Sequence, residues 1–480
     1  MQYLFSKRYT FCLMNLLNLV YLSPEIILIG TAFFLLLIDL FFAKNLSINL
    51  AILGTVASLA IETTLFGIKD QACGVFIIDP FSVFIKVVFL SCLLVTLFLS
   101  KSYFQKTKAK AEYCFILLLS TVGMLGVSSA CEMITFYICL ELISISSYIL
   151  VSFLKDKRSI EAGIKYLLFS ALSSALFLYG MSLLYGMSGT TNFAEAGRIL
   201  LDQNANKIQV LTIILIFSGF LFKADIVPFH MWVPDVYEGA PTPITGWLAT
   251  GSKIAGFVAI MRFLIGPLGY LLFTWPKFFF ILACATIIVG NLSAIGQKNI
   301  KRLLAYSSIS HAGYIMIGLC AYSALGATGI LFYLAAYSLA TLGCFSVVCL
   351  TNMEQIEEYN GLYKKEPLLA GVMLLSLASL SGLPPFIGFA GKFFIFSAAL
   401  EKGLLSLAII GVLFSVVSVY YYFSVIKAIY FGQANERVIS IPFYAKILLS
   451  VIAISLILLG VLPDVIMDKA QIAISSISGL

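Results

Sequence analysis

The sequence predicts an all-α polytopic membrane protein of about fourteen transmembrane helices, and three observations carry that prediction. Of its 480 residues, 61% are hydrophobic and only 11% are charged, whereas soluble chains carry about a quarter charged residues. Apolar runs of ~20 residues, enough to cross ~30 Å of hydrocarbon at 1.5 Å per residue, recur along nearly the whole length. No connection exceeds roughly 25 residues or has the length and alternating pattern of a soluble domain.

Taken in order, the runs fall at 22–42, 46–66, 80–100, 113–130, 133–154, 163–186, 208–227, 244–265, 274–295, 302–322, 325–351, 368–399, 404–430 and 443–463. Lys7, Arg8 and the run Phe11–Leu22 have the look of a signal peptide. They lack a small-x-small cleavage site and lead straight into another apolar run, so the segment is expected to be retained. The ten cysteines never form a C-x-x-C pair and mostly lie within apolar runs, where they serve as small hydrophobes. No disulfide, zinc or iron–sulfur site is expected. Only His230 and His311 could ligate haem, too few for paired ligation on facing helices. Any redox chemistry is assigned to another subunit.

Lys and Arg in short loops stay on the cytoplasmic side. The odd-numbered connections hold Lys44, Lys101, Lys106, Lys108, Lys110, Lys155, Lys157, Arg158, Lys298, Lys301, Arg302, Lys364, Lys365, Arg437 and Lys446. The even ones hold little more than Lys69, Arg198, Lys207, Lys277 and Lys402, with Lys469 in the C-terminal tail. Both termini are therefore expected on the non-cytoplasmic side, against the weaker vote of Lys7 and Arg8. The net charge of +7 is spread among loops on one membrane face and forms no continuous stripe, so no nucleic-acid partner is implied.

The ionisable residues left inside the spans are Glu141, Lys165, Lys223, Asp225, Lys253, His311 and Lys392. A lysine at bilayer depth costs ~2.5–3.5 kcal/mol on insertion scales, so it points by default to ion or proton movement. Glu141 lies roughly 13 Å into its helix, too deep for its short side chain to reach water. A pair of Glu141 with Lys223 would let each charge offset the other's desolvation, as a proton relay or as a static buried salt bridge. Asp225 reads as a counter-ion to Lys223, and Lys165 either snorkels to the interface or has a role. Arg262, Lys86 and Asp79 lie close enough to span ends to read as interfacial.

Pro228, following Lys223, and Pro384-Pro385, preceding Lys392, predict two broken helices, because proline removes a donor and disturbs the preceding turn. Discontinuous helices bearing one charged group each match transporters with internal repeats. Glu141 and His311 are 170 residues apart, and Lys223 and Lys392 are 169 apart. These offsets predict two inverted five-helix repeats, formed by the fourth to eighth and the ninth to thirteenth spans, each with one broken helix. The units are then 1–112 (three N-terminal helices), 113–265 (first repeat), 274–430 (second repeat) and 431–480 (last helix). Hydroxyls on Tyr306, Ser307, Ser308, Ser310, Tyr314, Tyr333, Tyr337, Ser338 and Thr341 have the spacing to hold water chains, although such groups also serve packing alone.

The stretch Leu221–Ile244, with Lys223-Ala-Asp225-Ile-Val-Pro228-Phe-His230-Met-Trp232 and Asp235-Val-Tyr-Glu-Gly-Ala-Pro, resembles the antiporter-like membrane subunits of respiratory complex I. The portion from Asp235 is closest to the subunit N type, the counterpart of mitochondrial and chloroplast subunit 2. Ala249–Ala255, Asn299–Tyr314 and Leu383–Phe393 fit the same family, and the similarity runs from the first span to the last. The resemblance implies a proton-translocating subunit of NADH:quinone oxidoreductase in a bacterial inner membrane, with other complex I membrane subunits as partners. It assigns Glu141 and Lys223 as the input pair, Lys253 and His311 as the central relay and Lys392 as the terminal lysine, with Lys165, Asp225, Tyr306 and Tyr314 secondary. No cofactor is implied in this chain; FMN, iron–sulfur clusters and quinone are expected in partner subunits. The alternatives are a monovalent cation/proton antiporter subunit and a structural spacer.

Overall fold

The computed structural model describes residues 19–41, 46–105, 109–201, 207–265, 276–433 and 441–477. Lys7, Arg8, Cys12, Lys44, Lys106, Lys108 and Arg437, with most of the run from Phe11, lie outside the described residues. Among the described residues, twelve helices are long and apolar enough to cross a membrane by length and composition. The first described helices are α1 (Ser23–Phe41) and α2 (Ser47–Thr64). An antiparallel hairpin, β1 (Asp70–Ala72) and β2 (Phe76–Ile78), leads into α3 (Pro80–Tyr103). Asp79 starts α3 through a reciprocal capping box with Ser82, with Pro80 in the first turn where its missing N–H costs nothing.

Next come α4 (Lys110–Ser129), α5 (Met133–Val151), the 32-residue α6 (Lys157–Ser188) and a surface helix α7 (Phe193–Leu201). The seventh expected span is interrupted: α8 (Lys207–Lys223) stops at Lys223, and a short α9 (Val233–Gly239) follows nine residues of turns. Then come α10 (Thr242–Leu264), α11 (Pro276–Ala294), α12 (Ile300–Ala321) and α13 (Ala324–Thr351). The run expected at 368–399 is likewise two half-helices, α14 (Pro367–Ser381) and α15 (Ile387–Glu401). The chain ends in α16 (Leu405–Phe431), α17 (Phe443–Val461) and an unexpected α18 (Asp464–Ile477) that packs on α3 and α13.

Both breaks close in the same way. Ile226 N–H reaches the Leu221 carbonyl (2.9 Å) and Asp225 N–H the Phe222 carbonyl (3.3 Å); Leu383 and Gly382 repeat this pattern with Ala378 (3.1 Å) and Ser379 (3.0 Å). These are Schellman caps, which need a left-handed residue, supplied by Asp225 at φ 61° and Gly382 at φ 83°. The following prolines then prevent the helix from resuming at once.

α10, α12 and α13 are almost wholly enclosed, whereas α1, α2, α6, α16 and α17 turn large apolar side chains outward, among them Phe34, Leu53, Leu172, Val416 and Ile454. A rim of this kind suits lipid or neighbouring apolar subunits.

An ion-pair network fixes the outer half of the broken span. On α9, Asp235 meets Lys165 (2.9 Å) and Arg302 (2.8 Å), and Glu238 meets Arg302 (2.8 Å) and Arg158 (3.2 Å). Glu354, just past α13, meets Arg158 (2.6 Å) and Lys301 (2.9 Å). Lys165 thus reaches the membrane face to pair with Asp235 and with Glu161 (2.9 Å). Burial alone would raise the carboxyls of Asp235 and Glu354, but the cations beside them hold both below the usual carboxylate range. Their contribution is therefore present above the unfolded carboxylate values of about 4 and is lost as acid carries the pH down through the lower folded values. Glu354→Gln should remove at most about 1 kcal/mol near neutrality, because these groups are partly solvated. Thermal unfolding of the solubilised protein should then depend less on pH below about 4 than in the wild type.

Candidate functional site: a buried axis of lysines

Four groups read from the sequence as titratable at bilayer depth are enclosed by protein: Lys223 is 7% exposed, Lys253 1%, His311 1% and Lys392 4%. Lys223, in the last turn of α8, donates to Ser144 Oγ on α5 at 2.7 Å, with the Tyr166 ring 5.9 Å away. Lys253 follows a π-helical turn at Leu248–Ser252 in α10, a local widening that often accompanies functional positions. Its Nζ forms an ion pair with Asp225 (3.1 Å) and hydrogen bonds with Ser308 Oγ and the Ser308 carbonyl.

Two elements bring Asp225 and Lys253 together. The left-handed cap turns Asp225 off the end of α8. Gly256, one turn beyond Lys253, lets the helices touch, since a Cβ there would lie 2.7 Å from the Lys223 carbonyl carbon and 2.8 Å from the Ala224 nitrogen.

Along α12 the hydroxyl line continues. Tyr337 donates to Ser308 Oγ (2.9 Å), and His311, one turn on, meets Tyr333 through Nδ1 (2.6 Å) and Tyr422 through Nε2 (3.1 Å), with Tyr422 also bonded to Ser307. The imidazole tautomer decides which ring nitrogen donates. Tyr314, one turn past His311, packs edge-on against it and lies under Lys392 Nζ, 4.7 Å from the ring centre. Its hydroxyl accepts from Asn291 (3.2 Å), which in turn accepts from Tyr421 (3.1 Å).

Lys392 folds back from α15 onto the end of α14, donating to the Ser381 carbonyl (3.0 Å) and to Ser415 Oγ (2.8 Å). A helix C-terminus concentrates carbonyl dipoles, so it favours a cation there. Gly382 leaves the room: a Cβ on it would lie 2.8 Å from Lys392 Cδ.

The family model described as NADH:quinone oxidoreductase/Mrp antiporter, TM, matches residues 130–418, which contain Lys223, Lys253, His311 and Lys392. A protein named NADH-quinone oxidoreductase subunit N from Moorella thermoacetica shares 40% identity over 465 residues, covering 95% of this chain and 98% of the relative. The chain belongs to this family. NAD(P)H-quinone oxidoreductase subunit 2 of Synechocystis shares 40% identity over 435 residues, 88% of this chain and 84% of the relative. A chain of respiratory complex I from Thermus thermophilus superposes with a TM-score of 0.83 at 31% identity, covering 93% of this chain and 99% of that one. A chain of the Mrp complex from Dietzia shares the fold, with a TM-score of 0.83 at 19% identity over 96% of this chain and 97% of that one.

Within this family member, several pairings differ from those expected. Lys223 forms no ion pair with Glu141: Ser144, three residues further along α5, takes its ammonium, and Glu141 is half-buried within electrostatic reach. Asp225 is the counter-ion of Lys253 rather than of Lys223, because the αL cap swings it toward α10. Tyr306 is half-buried near Arg302, and no hydrogen bond joins it to the axis among the described residues.

Lys86, Asp79 and Arg262 lie near helix ends, as expected, but are sealed within protein instead of facing the membrane surface. Lys86 is fully enclosed against Glu25 (2.6 Å), and Arg262 forms a two-pronged pair with Asp79 (2.7 Å each) beneath the start of α3. A bidentate guanidinium–carboxylate pair satisfies both buried charges at once. Sequence reasoning passed over Ser144, Ser381, Ser415, Asn291 and Tyr421, whose roles depend on helices distant in the chain.

Removing Asp225 would leave the Lys253 ammonium buried without a counter-ion. Asp225→Ala should cost about 3–5 kcal/mol, read as chemical unfolding of the solubilised protein, and Lys253→Met in the same chain should restore much of it. Gly382→Ala should cost about 1–2 kcal/mol through its left-handed backbone. It should also displace Lys392, raising that amine's labelling by an acylating reagent.

Proposed function

We propose that this chain is a proton-translocating membrane subunit of an NADH:quinone oxidoreductase, of the subunit N type. The observation that carries the reading is the enclosed sequence of nitrogen bases, Lys223, Lys253, His311 and Lys392, lined by the hydroxyls of Ser144, Ser308, Tyr337 and Tyr333 and by the ring of Tyr314. Buried amines of this kind change protonation when a neighbouring charge changes, which is what a relay requires.

Asp225 neutralises Lys253, whereas Lys223 and Lys392 have neutral oxygen acceptors. A proton arriving at Lys223 places a second cation near Asp225 and loosens its hold on Lys253. Release of the Lys253 proton toward Ser308 and His311 then raises the positive charge facing Lys392, which discharges. Glu141, near the first lysine, supplies the charge that favours proton entry. Each moved charge is worth about 2.3 kcal/mol per 100 mV, so the route must stay closed at rest. The interruptions between Lys223 and Lys253 and between His311 and Lys392 meet that need until water or side-chain motion bridges them.

Residues 1–112 form the N-terminal unit in this reading, 113–265 and 274–430 the two inverted repeats, and 431–480 the final helix. Basic loops on one face put both termini on the non-cytoplasmic side of a bacterial inner membrane. Flavin mononucleotide, iron–sulfur clusters and quinone belong to partner subunits, and no redox cofactor is assigned to this chain. Partners are the other membrane subunits of the complex.

Lys223→Ala should abolish pumping by this subunit in the assembled complex, and Glu141→Gln should weaken it. The measurement is protons moved per electron transferred in vesicles; an unchanged ratio in Lys223→Ala excludes the role of Lys223. The family description also covers Mrp antiporters, which keeps cation/proton exchange as the second reading. Sodium-dependent proton flux in vesicles holding the membrane subunits without redox partners would favour it.

A further inference from the structure

Three charged side chains that the lysine axis does not use meet in the N-terminal helices, upstream of the residues matched by the family model. Glu25 is in the first turn of α1, Glu62 near the last turn of α2 and Lys86 in the second turn of α3. The up-down-up course of these helices puts all three toward one membrane face. Glu62 and Lys86 are 0% exposed and Glu25 is 8% exposed. Lys86 Nζ lies 2.6 Å from Glu25 Oε1, an ion-pair contact without hydrogen-bond geometry, whereas both Glu62 oxygens are buried with neither an ion pair nor a hydrogen-bond partner among the described residues.

Charge balance sets the problem. Lys86 and Glu25 neutralise each other. The nearest other carboxylate on α3, Asp79, is committed to Arg262 at 2.7 Å. α4, which also packs on α2, carries Lys110, Glu112, Tyr113 and Cys114 in its first two turns, at the opposite end. On α1, Asp39 is likewise at the far end, and Cys139 of α5 lies near Glu25. An ionised Glu62 would therefore leave one net negative charge in an apolar enclosure with no donor to it, an arrangement that folded proteins avoid.

We infer that Glu62 carries an exchangeable proton, so that Glu25, Lys86 and Glu62 form a second proton-binding site separate from the lysine axis. In the loaded state Glu62 is a neutral acid beside the Lys86–Glu25 pair. On unloading, the Glu62 O–H bond breaks and its proton passes to the Glu25 carboxylate, leaving Lys86 paired with the Glu62 carboxylate; Glu25 then gives the proton to water at the surface, and only after that release does Lys86 stand between two carboxylates. Glu25, whose side chain is 11% exposed, is the group that meets the surface. This site does not depend on the proposed direction of pumping or on the roles assigned to Lys223 and Lys392.

Infrared difference spectra of the intact complex at neutral pH test the proposal. The spectrum of Glu62→Gln should lack one protonated-carboxyl carbonyl band of the wild type, and that band should shift in heavy water within hours. Glu25→Gln should remove the same band, because Lys86 then turns to Glu62 and ionises it. Identical carbonyl regions in wild type and Glu62→Gln would overturn the proposal, as would a band that never shifts in heavy water. Loss of the band on adding sodium would instead make this a metal-cation site. If Glu62→Gln does not assemble, Glu25→Gln decides: persistence of every wild-type band sinks the idea.

Discussion

The Asp225–Lys253 ion pair is the interaction on which the rest of the axis depends. It lies between α8 and α10, is almost fully enclosed, and exists only because α8 ends where it does. Were α8 to continue as a regular helix, Asp225 would stay on the α8 surface two positions from Lys223, and Lys253 would face Ser308 without a counter-ion. Breaking the helix thus does two things: it frees backbone carbonyls near Lys223 and delivers a carboxylate to the next lysine. The freed groups are tolerable at this depth because they are surrounded by protein rather than lipid.

The two broken spans solve related problems with different chemistry. At the first, a left-handed Asp225 supplies both the cap and the counter-charge. At the second, Gly382 supplies only the cap, and Lys392 returns from the following half-helix to occupy the space that a side chain would have taken. One lysine site is therefore coupled to a fixed anion nearby, while the other rests on carbonyl and hydroxyl dipoles.

Enclosure is uneven, and its pattern is informative. α10, α12 and α13, which carry Lys253, His311, Tyr333 and Tyr337, are surrounded by other helices. The outer helices are apolar on their exposed sides and carry few ionisable groups there. Many polar residues are thus gathered along an internal line, while the Asp79–Arg262 pair and the Glu25, Glu62 and Lys86 cluster are buried apart from it. The ion-pair network of Arg158, Asp235, Glu238, Arg302 and Glu354 closes this line at one face by tying α6, α9 and α12 to the loop after α13.

By itself the sequence determined the membrane class, the approximate spans, the two interruptions and the burial of Lys223, Lys253, His311 and Lys392, though not that of Glu25, Glu62, Asp79, Lys86 and Arg262. Each of these follows from local signals: run length, proline, and a charge inside an apolar stretch. The side chains of Lys223, Lys253, His311 and Lys392 could be singled out because burying an ammonium or imidazole is costly wherever it occurs. Partnership was decided only by the tertiary structure. Ser144 rather than Glu141 receives Lys223, Asp225 turns to Lys253, and Lys86 and Arg262 are sealed inside against Glu25 and Asp79. Such choices depend on helix rotation, on close approach at Gly256, and on the sign of φ at a single cap residue. Spacing along the chain fixes none of these, because a carboxylate reaches only a few ångströms and its direction is set by the backbone that holds it.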